Sequence, residues 1–194
     1  MTRTRCGMSA LLGLALVAGC GSRGVDWNAP ENFLLREESS KKDNGIELRY
    51  WSLVDAPCQA VYEALADVEH YADFVPGVDR IQILTTGPDT KTTQIAQRVV
   101  GRQSNAKVEW HFKPQERHID FKTLSSDLSY NDGHYELEES PDRKRCLVRS
   151  AFVVKEGQGM AQPVPIGVLA SGTRDSFLAA ARGVKKRAAG APAS

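Results

Sequence analysis

Charge of one sign is what this 194-residue chain has least of. Lys and Arg number 25 against 24 Asp and Glu, a formal net charge of +1. A nucleic-acid binder normally carries a basic stripe, and this composition gives no basis for one. Long apolar runs are also missing, and none reaches the length of a membrane-spanning helix. Cysteines are few, at four, and none stands in a CxxC or Cys/His spacing that would hold zinc. There is no phosphate loop, dinucleotide fingerprint, HExxH or nucleophile elbow. What the chain does have is 41% hydrophobic residues, enough for one domain with a sizeable core plus a tail.

The first residues read as a targeting segment rather than as part of a fold. Arg3 and Arg5 form a basic start, Met8 to Ala18 is a short apolar run, and "LVAGC" (Leu16 to Cys20) ends it. Small residues before a cysteine after such a run mark a secretory signal. The stretch resembles a bacterial lipobox, which implies cleavage after Gly19 and lipids on Cys20. Lipidation would anchor the protein to a membrane. Gly21, rather than Asp, follows the cysteine, which fits an outer-membrane, periplasm-facing lipoprotein. Without residues 1–19 the chain has 23 basic and 24 acidic residues, because Arg3 and Arg5 are lost. Cys58 and Cys146 then remain as an even pair in an oxidising compartment.

Residues 20–44 are polar and mixed. They are expected to form a tether leading into an edge strand around Arg36 to Lys42. "IELRYWSLV" (Ile46 to Val54) is rich in β-branched and aromatic residues and predicts a strand. Asp55 and Pro57 then open a helix to about Asp67, followed by a short one over Glu69 to Phe74 that "VPGV" ends. Six strand signals follow in meander order, from "RIQILTT" to "RCLVRSAFVVK", with the looser, loop-like "SSDLSYNDG" (Ser125 to Gly133) ahead of the strand "HYELEE", and predict an antiparallel sheet. In "AKVEWHFK", Ala106, Val108, Trp110 and Phe112 alternate with Lys107, Glu109, His111 and Lys113. A long helix from about Val164 to Ala188 closes the order, with Ile166, Leu169, Thr173, Phe177, Ala180 and Val184 as its buried stripe. Residues 189–194 are expected to be disordered. Only the apolar face of the sheet can cover that stripe, and a sheet wrapped round one helix leaves room for a small molecule.

The stretch "VDAPCQAVYEALADVEHYADFVPGVDRIQIL" resembles the opening of the START-like superfamily, nearest to its polyketide cyclase/dehydrase and coenzyme Q-binding group. Ala56–Pro57, Val61–Tyr62, Leu65, Asp67, Tyr71, Phe74 and Pro76 carry the likeness. Gly133 before Tyr135, and "PVPIG" ahead of the last helix, agree with it. The resemblance spans residues 46–188, within a ligand-binding domain expected over residues 45–188. It implies an α+β helix-grip fold, in which a curved antiparallel sheet wraps a long C-terminal helix around an apolar cavity. In that fold the first and last strands pair antiparallel. Cys58 and Cys146 would then share one corner, close enough for a disulfide.

The candidate ligand-binding residues are Trp110, Phe112, Phe121, Tyr135, Phe152 and Phe177. Arg98 or Arg149 is the candidate partner for a polar head group. "DVEHYADF" (Asp67 to Phe74) tempts with a metal or acid–base reading. Val68, Tyr71 and Phe74 recur at helical spacing, however, and should face inward, with Asp67, Glu69, His70 and Asp73 left to water. Ligands within five residues of a short helix are not expected to converge, so no metal is assigned. If Pro114–Gln115 makes a tight turn, His111 pairs with His118 and His134 lies alongside, on a face read as solvated. No catalytic residue and no cofactor is assigned. The expected function is a lipid-anchored periplasmic protein that binds or carries an apolar small molecule: a lipid, a quinone or a polyketide-like compound. Two alternatives stay open. One is a cyclase, dehydrase or hydrolase acting in the same cavity, since cyclases of this superfamily share no universal motif. The other is a scaffold lipoprotein without ligand. An ionisable pair in the cavity would favour the enzyme, an apolar cavity the carrier, and a collapsed core the scaffold.

Overall fold

Alternation decides which face of each strand is buried. In the computed structural model, which describes residues 25–99, 101–157 and 164–190, the strand β2 (Gly45–Val54) turns Leu48, Tyr50, Ser52 and Val54 inward. The same period of two operates in β5 (Arg102–Lys113), where Ala106, Val108 and Trp110 are buried. It operates again in β6 (His118–Ser126) and β8 (Cys146–Glu156), while β7 (Ser129–Glu139) is half-buried along most of its length. With β1 (Asn32–Lys42), β3 (Val78–Thr86) and β4 (Thr90–Val99), these strands form one eight-stranded antiparallel sheet of order β1-β2-β8-β7-β6-β5-β4-β3. The expected pairing of first and last core strands is present, with Val54 opposite Cys146.

The register aligns one row of side chains across five strands. Leu48 faces Phe152, Phe152 faces Gly133, Gly133 faces Phe121, and Phe121 faces Trp110. Four of the five are large and apolar, and Gly133 leaves the gap between them. The sheet carries this row on its concave side. The helix α3 (Ile166–Gly190) packs there, burying Leu169, Phe177, Val184 and Ala188 along one face. The Phe177 ring stacks on Tyr50 at 4.7 Å. Two short helices, α1 (Cys58–Ala66) and α2 (Tyr71–Phe74), with a 3-10 turn over Val68–His70 between them, cover the end of the cleft. This is the α+β helix-grip arrangement expected from the sequence.

Several boundaries differ from expectation. The edge strand β1 starts at Asn32 rather than Arg36, so the second half of the expected tether belongs to the sheet. Glu31, just ahead of it, accepts a hydrogen bond from the Asp55 backbone N–H (2.9 Å) and pairs with Lys185 (2.6 Å). Arg145 donates to the carbonyls of Trp27 and Ala29, both at 2.6 Å, and pairs with Asp55. Both observations show that residues 27–31, just before β1, are docked, not loose. At the other terminus α3 runs through Gly190, two residues into the expected tail. β7 begins at Ser129, inside a stretch whose Ser, Asn, Asp and Gly suggested a loop. Cys6 and Cys20, and with them the expected signal and anchor, lie outside the described residues.

Candidate ligand cavity

Between α3 and the row of aromatic side chains lies a cavity of about 180 Å³. Five of the six expected residues line it: Trp110, Phe121, Tyr135, Phe152 and Phe177. They form one continuous set, with neighbouring ring centroids 5.4 to 5.9 Å apart. Phe112 does not line it. It sits two residues beyond Trp110 on β5, opposite Ile119 and half-buried, with Lys91 Nζ 6.0 Å from its ring. The alternation holds, and Phe112 packs against the buried core, but it lies beyond the end of the cavity. A second chamber of about 30 Å³ adjoins the first, and Leu65, Tyr135, Phe177, Ala180 and Val184 form walls of both.

Neither candidate arginine reaches the cavity. Arg98 is exposed and pairs with Asp79 at 3.5 Å. Arg149 alternates with inward-facing Val148 and Ser150 and therefore points outward, to Glu138 and over the Trp51 ring. The polar part of the lining comes from Gln97, Thr123, Ser129, Asn131, Thr173 and Ser176, of which only Thr173 stands in the stripe expected from helical spacing. Ser129 and Asn131 stand in the stretch Ser129 to Asp132 ahead of Gly133, whose Ser, Asn and Asp are not a strand's usual residues. The Thr123 hydroxyl donates to the Asn131 carbonyl (2.9 Å) and accepts from the Asn131 N–H (3.0 Å). The Thr123 N–H donates to Asp132 Oδ1 (2.8 Å). Side chains therefore replace the ladder where β6 and β7 separate.

Most polar tips in the aromatic wall are already used. Trp110 Nε1 donates to Thr93 Oγ1 (3.0 Å), and Tyr71 Oη donates to the Leu65 carbonyl. Burial pushes both the Tyr71 and the Tyr135 phenols well above the usual tyrosine range, so each is a protonated donor at neutral pH. Buried Tyr50 is pushed up to about 12 for the same reason. Among the described residues that line the cavity there is no Asp, Glu, His, Lys or Arg.

The eight residues of "DVEHYADF" divide as expected. Val68 and Tyr71 are buried and Phe74 half-buried, while Glu69, His70 and Asp73 are exposed and Asp67 intermediate. One expectation fails: a ligand atom from each of Asp67, Glu69 and His70 lies within 4.8 Å of the others. They approach because Asp67 breaks the helix, with φ −80° and ψ 52°. The carboxylates already have partners. Asp67 pairs with His70 and Arg187, and Glu69 with Lys91. Burial raises the Asp67 pKa, but the hydrogen bonds from His70 and Arg187 outweigh it and hold the carboxyl below its ordinary range. The second histidine expectation also shifts. A 3-10 turn over Pro114–Glu116 with left-handed Arg117 lengthens the β5–β6 connection. His111 therefore faces Asp120, and His118 faces Lys113. His118 and His134 stack at 5.3 Å on the outer face.

Comparison with known proteins agrees with this geometry. Many solved structures superpose on the chain, among them the three that follow. The Zhui aromatase/cyclase of Streptomyces sp. R1128 has 19% identity and TM-score 0.68, covering 74% of this chain and 93% of its own. A protein of Thermus thermophilus has 13% identity and TM-score 0.65, covering 76% and 99%. A START superfamily protein from Mycobacterium smegmatis has 15% identity and TM-score 0.60, covering 74% and 97%. At these identities the likeness is one of fold. No curated protein matches the chain. A family model described as polyketide cyclase / dehydrase and lipid transport matches residues 54–182, from the end of β2 into α3. With that match over most of its length, the chain belongs to the polyketide cyclase/dehydrase and lipid transport family of the START-like superfamily.

Proposed function

We propose that this protein binds and carries a compact apolar molecule in the cavity between α3 and the sheet. One observation carries the reading: the 180 Å³ space is walled mainly by aromatic and aliphatic side chains, and among the described lining residues there is no charged acid–base pair. An engineered dry cavity of roughly 150 Å³ holds a benzene molecule, so the space suits one or two rings. A long-chain lipid or quinone would have to leave its tail outside or spread the walls, and the ring-sized, polyketide-like class fits best. Native mass spectrometry of protein purified from its own host tests this. A bound small molecule is expected, and displacement of an apolar fluorophore by that molecule should follow.

The Zhui aromatase/cyclase likeness favours a second reading, a cyclase-type reaction in the same space. Among the described lining residues the proton chemistry would fall to Tyr71 and Tyr135. Their raised pKa values suit a donor and not a base. Tyr135→Phe separates the two readings, because it should abolish turnover of a polyketide substrate in an enzyme and leave a carrier's binding largely intact.

The "LVAGC" pattern supports a lipid anchor on Cys20 and a place at the periplasmic side of the outer membrane. Cys20→Ala should release the protein from membranes on fractionation. Wild-type protein recovered wholly soluble and unlipidated would end that part of the proposal.

A further inference from the structure

The cavity reading leaves the ligand's chemistry open, and the wall narrows it. Ionised groups lose their hydration on entering such a space and need a counter-charge there. Among the described lining residues none is charged. The wall is not wholly apolar, however. Asn131 projects inward from β7, on the face it shares with Gly133 and Tyr135. Its Oδ1 is buried and has no hydrogen-bond partner among the described residues. Three polar groups of the same wall are already spent: Thr123 Oγ1 on the Asn131 backbone, Thr173 Oγ1 on the Leu169 carbonyl (2.9 Å), and Trp110 Nε1 on Thr93. An amide oxygen only accepts, so it lacks a donor.

We infer that the cavity selects an uncharged molecule whose hydroxyl, alcohol or phenol, donates to Asn131 Oδ1 while its apolar body lies against Trp110, Phe121 and Phe152. This rests on the cavity reading and adds the ligand's charge and its polar handle. Asn131 is held for the task. Both its backbone groups are fixed by Thr123, and the next residue, Asp132, caps the Thr123 N–H.

Three probes with the same two-ring body test the inference on the full chain: naphthalene, 2-naphthol and 2-naphthoate. Binding is read by isothermal titration and by quenching of tryptophan fluorescence. Wild type should bind 2-naphthol about tenfold more tightly than naphthalene, the worth of one buried hydrogen bond, and 2-naphthoate least well. Asn131→Ala should bring naphthol down to naphthalene and leave naphthalene itself unchanged. Equal binding of naphthol and naphthalene by wild type would mean that water already satisfies the amide, and would overturn the inference while the cavity stands. Naphthoate binding tightest would overturn it too. Binding of none of the three would defeat both this inference and the cavity. The wild-type ranking decides even if the Asn131→Ala variant fails to fold.

Discussion

Gly133 has no side chain because the row of rings has no room for one. A Cβ built there would lie 2.1 Å from the Ala151 carbonyl oxygen and 3.1 Å from Phe121 Cζ. Gly133→Ala must push β7 from β8 or turn the Phe121 ring, and overpacking of this kind costs about 1–3 kcal/mol. Chemical denaturation should show that loss, and an unchanged midpoint would mean that the strands give way freely. Phe177 raises the opposite question. Its ring stands between the two chambers and stacks on Tyr50. Phe177→Ala should cost about 3–5 kcal/mol and join the chambers. At matched folding, the variant is expected to gain affinity for a three-ring probe relative to naphthalene. If the ratio stays that of wild type, Phe177 does not divide the space.

α3 is held against the rest of the domain at both ends. Near its C-terminus, Gly183 lets the helix approach α2 so closely that a Cβ would fall 2.1 Å from the Phe74 carbonyl oxygen. Alanine is the better helix former, by about 1 kcal/mol, so an isolated helix would gain from Gly183→Ala. Here the clash should win and Tm should fall. A rise in Tm would show that α2 can retreat. One turn later Arg187 pairs with Asp67, which also bonds His70. The Asp67 pKa is depressed in the fold. Its contribution is therefore present above the ordinary carboxylate value near ~4 and is lost as pH falls through the lower, folded value. Asp67→Asn should flatten that part of the acid-denaturation profile. An identical profile in the variant would place the acid sensitivity elsewhere. Nearer the N-terminal end, Arg174 pairs with Glu37 of β1 at 3.0 Å. That pair is exposed and is expected to matter little.

At the scale of the whole molecule, Cys58 and Cys146 tie α1 to the start of β8, with Cα atoms 4.7 Å apart and 88 residues of separation. Closing a loop of that length removes entropy from the unfolded chain worth up to about 4–5 kcal/mol, and often less in practice. Replacing both cysteines by serine should lower stability by a few kcal/mol without changing the fold. Free thiols at both positions in protein purified from its own host would remove the bridge from the account. The bridge joins β8 to the helical cap at the end of the sheet away from the β6–β7 hairpin. Cross-linking should therefore stiffen the cap more than the polar corner around Asn131, and hydrogen exchange would register the difference.

Some of this was set by the sequence alone, because periodicity acts locally. Alternation in "AKVEWHFK" fixed which residues of β5 are buried, helical spacing fixed which face of α3 carries Leu169, Phe177 and Val184, and Val68 and Tyr71 turned inward for the same reason. Five of the cavity's aromatic walls followed from those patterns. What the sequence left open depended on register and on where each strand ends. Trp110 and Phe112 share one face of β5, yet only Trp110 reaches the cavity. One extra turn at Pro114–Glu116 moved His111 from His118 to Asp120. Asn131 read as a loop residue, because Ser, Asn, Asp and Gly disfavour strands when read alone. Pairing with β8 overrode that preference, and with it the tertiary structure placed a buried amide oxygen in the wall, which no local pattern encodes.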